Sequence, residues 1–126
     1  ERFDEGADVV LHLGDTLELL SQIPDGKVRL VVTSPPYNIG KPYERRLNLE
    51  EYLNQQEVVI RESVRITADD GSICWQVGNY VENGVIIPLD VLLYPIFRKF
   101  DLKLRNRIVW HFGHGLHSQK RFSGRC

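Results

Sequence analysis

The sequence has no methionine, only two cysteines and no long apolar run. Cys74 and Cys126 are too few for a disulfide framework, which excludes a cross-linked secreted scaffold and points to a reducing cytoplasm. No stretch approaches the roughly 20 apolar residues that span a bilayer, so no membrane partner is expected. Sustained heptads, internal repeats and low-complexity tracts are missing too, which excludes coiled-coil, collagen-like and disordered chains. The missing methionine, in a chain opening at Glu1, leads us to expect a piece of a longer protein.

What is present suits a folded domain. The 126 residues are 42% hydrophobic and 26% charged, enough for one domain. A chain of this length buries roughly two-thirds of its unfolded surface. The net charge of −1 conceals an asymmetry: residues 98–126 carry eight Lys or Arg against the single acid Asp101. A concentrated positive end suits a polyanion such as nucleic acid, and a solvated basic strip explains it equally well.

Residues 9–13 read as a short buried strand closed by Gly14-Asp15, and residues 16–23 space their apolar positions helically up to Pro24-Asp25-Gly26. Residues 27–33 are rich in Val and Leu and predict a buried parallel strand, cut off by Pro35-Pro36. Asn48 is a suitable N-cap with Glu51 three residues on, and Leu49, Tyr52, Leu53, Val59, Ile60 and Val64 share one helical face. That helix should stop near Asp69-Asp70-Gly71. Residues 72–77 predict a strand ending in Gly78-Asn79. Pro88 suits a first helical turn for residues 89–100, which Pro95 would kink or shift, and residues 103–112 read as a last strand. Trp75 and Trp110 are expected in the core. Alternating strands and helices give an α/β fold, a mostly parallel sheet with helices on both faces. Ligands in such sheets sit beyond the carboxyl ends of the strands, where Asp15, Ser34 and Asn79 fall.

One of those ends carries Thr33-Ser34-Pro35-Pro36-Tyr37-Asn38 behind the apolar run Leu30-Val31-Val32. Here the sequence resembles the amino-methyltransferases of DNA, whose signature is Asp, Asn or Ser, then Pro-Pro, then an aromatic residue at a strand end. The longer stretch from Thr33 to Glu44 is similar to the motif of the permuted branch, in which the catalytic half precedes the cofactor-binding half. Gly14-Asp15, the run from Leu20 to Gly26, the segment from Asp70 to Asn79 and the run from Arg105 to Trp110 also resemble the family. The resemblance implies a partial Rossmann-like methyltransferase sheet, and methyl transfer from S-adenosylmethionine to an exocyclic amino nitrogen of double-stranded DNA. It implies that Asp15 meets the cofactor's adenine, with Thr33 beside it; Asp15 is equally explained as turn chemistry. Serine at the first motif position favours cytosine N4 over adenine N6. A host of bacterial, archaeal or phage origin is implied with it.

The chemistry fits these residue types. An exocyclic amino nitrogen is a poor nucleophile because its lone pair is delocalised into the ring. Acceptors for its protons steer it toward tetrahedral geometry, and the Ser34 hydroxyl and the Pro35 carbonyl are candidates. Pro35 and Pro36 stiffen that carbonyl's direction. Tyr37 offers a face for a base flipped from the duplex. The competing reading is a plain Pro-Pro-Tyr turn or a proline-rich ligand, against which the preceding buried strand argues. Ser34 could also simply cap the turn.

Arg107, Lys120 and Arg121 are candidate phosphate contacts, which would position DNA without reading its sequence. His111, His114, His117 and Cys126 could in principle supply zinc ligands, but glycines separate them and the spacing matches no paired pattern, so no metal is expected. The permuted branch also needs a Phe-x-Gly-x-Gly loop for its cofactor and a target-recognition region, and this chain has neither. The expectation is therefore one partial domain over residues 1–126, inactive alone, whose partner is the complementary half or another copy across an open sheet edge. The alternative is a non-catalytic nucleic-acid-binding module of the same fold, in which the basic residues would matter and Ser34 and Tyr37 would not.

Overall fold

The computed structural model describes residues 3–40, 42 and 45–110. Residues 9–13 are not a strand: Val9, Leu11 and Leu13 are exposed and no ladder includes them. The apolar run alone does not make a strand without a partner to hydrogen-bond. Helix α1 (Thr16–Leu20) is shorter than its apolar spacing predicts, because Ser21 to Ile23 close into successive tight turns.

Strand β1 (Val28–Thr33) follows, then helix α2 (Leu49–Ile66) and strand β2 (Thr67–Trp75). The Asn48 side chain accepts from the Glu51 backbone N–H at 2.9 Å, the expected cap. Tyr52, Gln56, Ile60, Ser63 and Ile66 form the buried stripe of α2. The helix ends earlier than the Asp69-Asp70-Gly71 signal suggests. That triplet lies instead within β2, where the register with β1 slips between the pairs Val28–Thr67 and Leu30–Ser72. A Cβ on Gly71 would lie 2.9 Å from the Ala68 carbonyl and 2.6 Å from the Thr67 methyl, so the irregularity needs glycine.

Strands β1 and β2 pair in parallel, with Val31 opposite Ile73 and Thr33 opposite Trp75. Strands β3 (Asn79–Glu82) and β4 (Val85–Pro88) form a separate antiparallel hairpin. Its turn is Asn83-Gly84, at φ 50° and 79°, the mirror-image turn geometry that suits Asn-Gly. Helix α3 (Leu89–Lys99) continues through Pro95. Pro95 lies on the exposed side of α3, as does Val91 one turn earlier, so water can take the place of the lost backbone bond.

The structure is thus mixed α/β, with one short parallel pair and one antiparallel pair among the described residues. Two linked clusters form the core: Tyr52, Tyr80 and Leu89, and Ile60, Leu93 and Ile96, with Leu53 and Val77 touching both. Trp75 packs edge-on against Phe97 at 5.5 Å, joining β2 to α3. Val31, Thr33, Ile73 and Trp75 are half-buried on that side of the parallel pair. On the other side Leu30, Val32, Ser72 and Cys74 are exposed. The described helices therefore cover one face of this pair, whereas the alternating pattern predicted both. No described residue of 103–110 is in a strand, and Trp110 is 68% exposed rather than in the core.

Arg65 holds the turn that launches β1. It donates to the Leu20 and Ile23 carbonyls at 2.7 and 2.9 Å and to the carboxylates of Asp25 and Glu62. Bonds to Asp25 and then Glu62 raise its pKa further above the ordinary arginine value.

Candidate active site

Strand β1 delivers Thr33 to the mouth of the parallel pair, and its carbonyl accepts from the Gln76 backbone N–H at 2.9 Å. Pro35 and Pro36 lack backbone donors, so the ladder cannot continue and the chain turns away. Ser34 is exposed at this turn, and its Oγ lies 2.7 Å from the Tyr37 hydroxyl. The Tyr37 ring is half-buried against the cluster of Tyr52, Tyr80 and Leu89.

Three further contacts fasten the loop. The Tyr52 hydroxyl, carried by the buried stripe of α2, donates to the Pro36 carbonyl at 2.9 Å. Asn38 is 2% exposed in the left-handed region at φ 58°, where asparagine is better tolerated than most residues. Its side chain donates to the Leu47 carbonyl at 2.8 Å and accepts from the Leu47 N–H at 2.7 Å. That reciprocal pair mimics a strand ladder and closes the loop between them. Gly78 lies under Tyr37: a Cβ there would sit 3.1 Å from the ring's Cδ2 and 3.4 Å from Cε2.

A hollow of about 280 Å³ opens beside Ser34, Pro35, Pro36 and Tyr37. This is close to the lower end of the roughly 300–1,000 Å³ found for small-molecule sites. A second hollow of about 300 Å³ shares Pro36 with the first and is lined by Asn38, Arg45, Leu47, Tyr52, Gln55 and Gln56 as well. Arg46 reaches from the loop to the hairpin, donating to the Val81 carbonyl at 3.0 Å, with its guanidinium 5.2 Å from the centre of the Tyr80 ring.

Ser34, Pro35, Pro36 and Tyr37, consecutive in the chain, are brought together around one hollow. Asp15 is not: its Oδ1 accepts from the Leu17 N–H at 2.8 Å and caps α1, and neither hollow includes it or Thr33 among its lining. Asn79 opens β3 opposite Pro88 rather than forming a turn. Arg107 is ion-paired with Asp90 of α3. Lys120 and Arg121, like His111, His114, His117 and Cys126, lie outside the described residues. Tyr52 carries only a helix-face signal in the sequence, and Asn38 and Gly78 fall within segments that resemble the family without a role of their own. Only the tertiary fold brings α2 and the segment after β2 against the motif.

Residues 28–125 match the DNA methylase family of N6/N4 methyltransferases, and the chain belongs to that family. It is 51% identical over 116 residues to the type II methyltransferase M.BglII of Bacillus subtilis, a match covering 91% of this chain and 32% of that protein. Against the type II methyltransferase M.ScaI of Streptomyces caespitosus it is 40% identical over 124 residues, covering 96% of this chain and 40% of the relative. The DNA adenine methyltransferase YhdJ of Escherichia coli is 30% identical over 125 residues, with 96% of this chain and 39% of that protein covered. The chain thus spans between about a third and two-fifths of the length of these curated relatives. No described helix is long and apolar enough to cross a membrane.

Proposed function

We propose that this chain is the catalytic part of a DNA amino-methyltransferase that modifies an exocyclic nitrogen of a flipped base in double-stranded DNA, cytosine N4 in preference to adenine N6. The observation that carries this reading is the hollow at the end of β1, bounded by the Ser34 hydroxyl, the two prolines and the Tyr37 ring. Its chemistry is that of an amino group beside a flat ring. The Ser34 oxygen and the Pro35 carbonyl accept the amino protons and turn the nitrogen lone pair out of the base plane. Tyr37 bounds the base on one side, and the same ring favours positive charge developing on the nitrogen. Serine rather than aspartate at the first motif position, ahead of the two prolines, is what supports the preference for cytosine.

S-adenosylmethionine is the methyl donor this reading requires. The described residues do not form a complete pocket for it, because Asp15 caps its own helix and neither hollow is lined by Asp15 or Thr33. We assign the rest of that pocket, and the reading of DNA sequence, to a complementary part of the enzyme. Arg107, Lys120 and Arg121 are proposed phosphate contacts, and a bacterial, archaeal or phage cytoplasm is the proposed setting.

The test places this chain in the position of the matching segment of the Bacillus subtilis methyltransferase and measures transfer of labelled methyl groups to DNA. Ser34→Ala and Tyr37→Ala should each collapse transfer while DNA retention persists. Transfer that survives both substitutions, with salt-sensitive binding lost through Arg107, would leave a nucleic-acid-binding module instead. Digestion of the product to nucleosides separates N4-methylcytosine from N6-methyladenine.

A further inference from the structure

The loop that carries Ser34 and Tyr37 is held by two residues outside the motif. The Tyr52 hydroxyl donates to the Pro36 carbonyl at 2.9 Å, while the Tyr52 side chain itself is anchored in the core at 3% exposure. Gly78 supplies the opposite constraint, an absence of bulk. The three atoms nearest to a Cβ built on it are all of the Tyr37 ring, at 3.1, 3.4 and 3.7 Å. Gly78 is not in the left-handed region, so backbone conformation does not explain its glycine. Contact with the ring does.

We propose that Tyr52 and Gly78 are positioning residues for methyl transfer: Tyr52 fixes the Pro36 carbonyl and Gly78 lets the Tyr37 ring approach the backbone closely. The inference rests on the function proposed above. The two contacts act on consecutive residues of the loop, Pro36 and Tyr37. With Pro36 pinned by Tyr52 and the ring seated on Gly78, the Tyr37 hydroxyl reaches the Ser34 oxygen at 2.7 Å. The acceptor oxygen of Ser34 and the aromatic plate of Tyr37 thereby share one frame with the pinned Pro36 peptide, next in the chain to the Pro35 carbonyl. A frame of this kind needs no reorganisation as charge develops, which is where transition-state stabilisation comes from. Neither residue reaches the hollow beside Ser34 and Tyr37, so neither is a base contact.

The test uses the same reconstituted enzyme, with Ser34→Ala as a reference. Tyr52→Phe deletes one hydroxyl and should lower kcat about three- to tenfold, the worth of one ordinary hydrogen bond, with KM for DNA unchanged. Gly78→Ala displaces the ring by a few tenths of an ångström and should lower kcat by about tenfold, since small misplacements of reacting groups are costly. In a Tyr37→Ala background Gly78→Ala should lower the melting temperature no further, because the ring it strikes is gone. The ring resonances of Tyr37 in the 126-residue chain should shift with Gly78→Ala, with melting temperature as the check on folding.

Unchanged kcat in both variants, with Ser34→Ala still inactivating, overturns this inference and leaves the proposed function standing. A loss of folding in Gly78→Ala that Tyr37→Ala fails to relieve overturns it as well. If the unsubstituted enzyme is silent, or Ser34→Ala has no effect, the proposed function falls and takes this inference with it.

Discussion

The hydroxyls of Ser34 and Tyr37 lie 2.7 Å apart across the two prolines that separate them. A phenol is the stronger acid of the two, so Tyr37 is the natural donor and Ser34 the acceptor. That leaves the Ser34 oxygen one lone pair for an amino proton and its own proton for a ring nitrogen next to that amino group. The contact is at the surface, so its loss should cost little stability.

Tyr37→Phe therefore separates two roles of one side chain. Chain stability should fall by no more than about 1.5 kcal/mol in urea titrations, the net worth of a typical hydrogen bond. Methyl transfer by the reconstituted enzyme should drop modestly. Tyr37→Ala should also lose the stacking surface, weakening capture of the base by about 1–3 kcal/mol. An oligonucleotide carrying 2-aminopurine at the target position reports that capture directly, and equal effects of the two substitutions would refute the separation.

Arg65 makes a prediction about folding. It ties α2 to two carbonyls and a carboxylate around the turn before β1, with only 27% of its side chain exposed. Arg65→Met keeps the aliphatic stem and removes the donors, and should cost about 2–3 kcal/mol, the range for bonds to charged groups. The denaturation midpoint measures it. Hydrogen exchange should accelerate at the Gly26 amide, which bonds to the Arg65 carbonyl at 3.0 Å.

Strand β1 and its abrupt end were legible in the sequence because apolar β-branched residues followed by two prolines admit few other structures. Helix α2 was legible for a similar reason, in that Asn48, Glu51 and the apolar stripe all agree. The β3–β4 hairpin has its signal in Asn83-Gly84, but strands of four residues each are too short for alternation to mark them. Residues 9–13 and 103–110 mislead because apolar content alone does not supply a neighbouring strand. Asp69-Asp70-Gly71 misleads differently, since a turn signal is equally a signal for irregularity inside a strand. Tyr52 and Gly78 were illegible: their importance lies in contacts with Pro36 and Tyr37, 16 residues away in sequence for Tyr52.

The basic end offers a test in solution. Arg107 is paired with Asp90, and both partners are more than a third exposed, so the pair is worth at most about 1 kcal/mol. DNA can compete for a guanidinium held so weakly. Asp90→Asn should therefore tighten DNA binding, and Arg107→Ala should reduce the slope of log affinity against log salt by about one. A slope that ignores Arg107 would remove it from the DNA-binding surface.

The uncovered face of the parallel pair makes the last prediction. Leu30 and Val32 are 56% and 69% exposed, with Cys74 opposite Val32 on the neighbouring strand. Parallel strands are ordinarily covered on both faces, because the crossover helices that connect them lie there. In isolation the chain should therefore associate through this face or through the free strand edges beside it. Sedimentation should show larger species at rising concentration, and Leu30→Lys with Val32→Thr should reduce them without lowering the melting temperature. Cys74 should react readily with a thiol reagent in the dispersed chain and slowly in the associated one. When the chain sits inside the reconstituted enzyme, the same thiol should be protected, because complementary structure then covers Leu30 and Val32. Equal reactivity of Cys74 in all three forms would show that this face stays in water, and association would have to be traced to the strand edges alone.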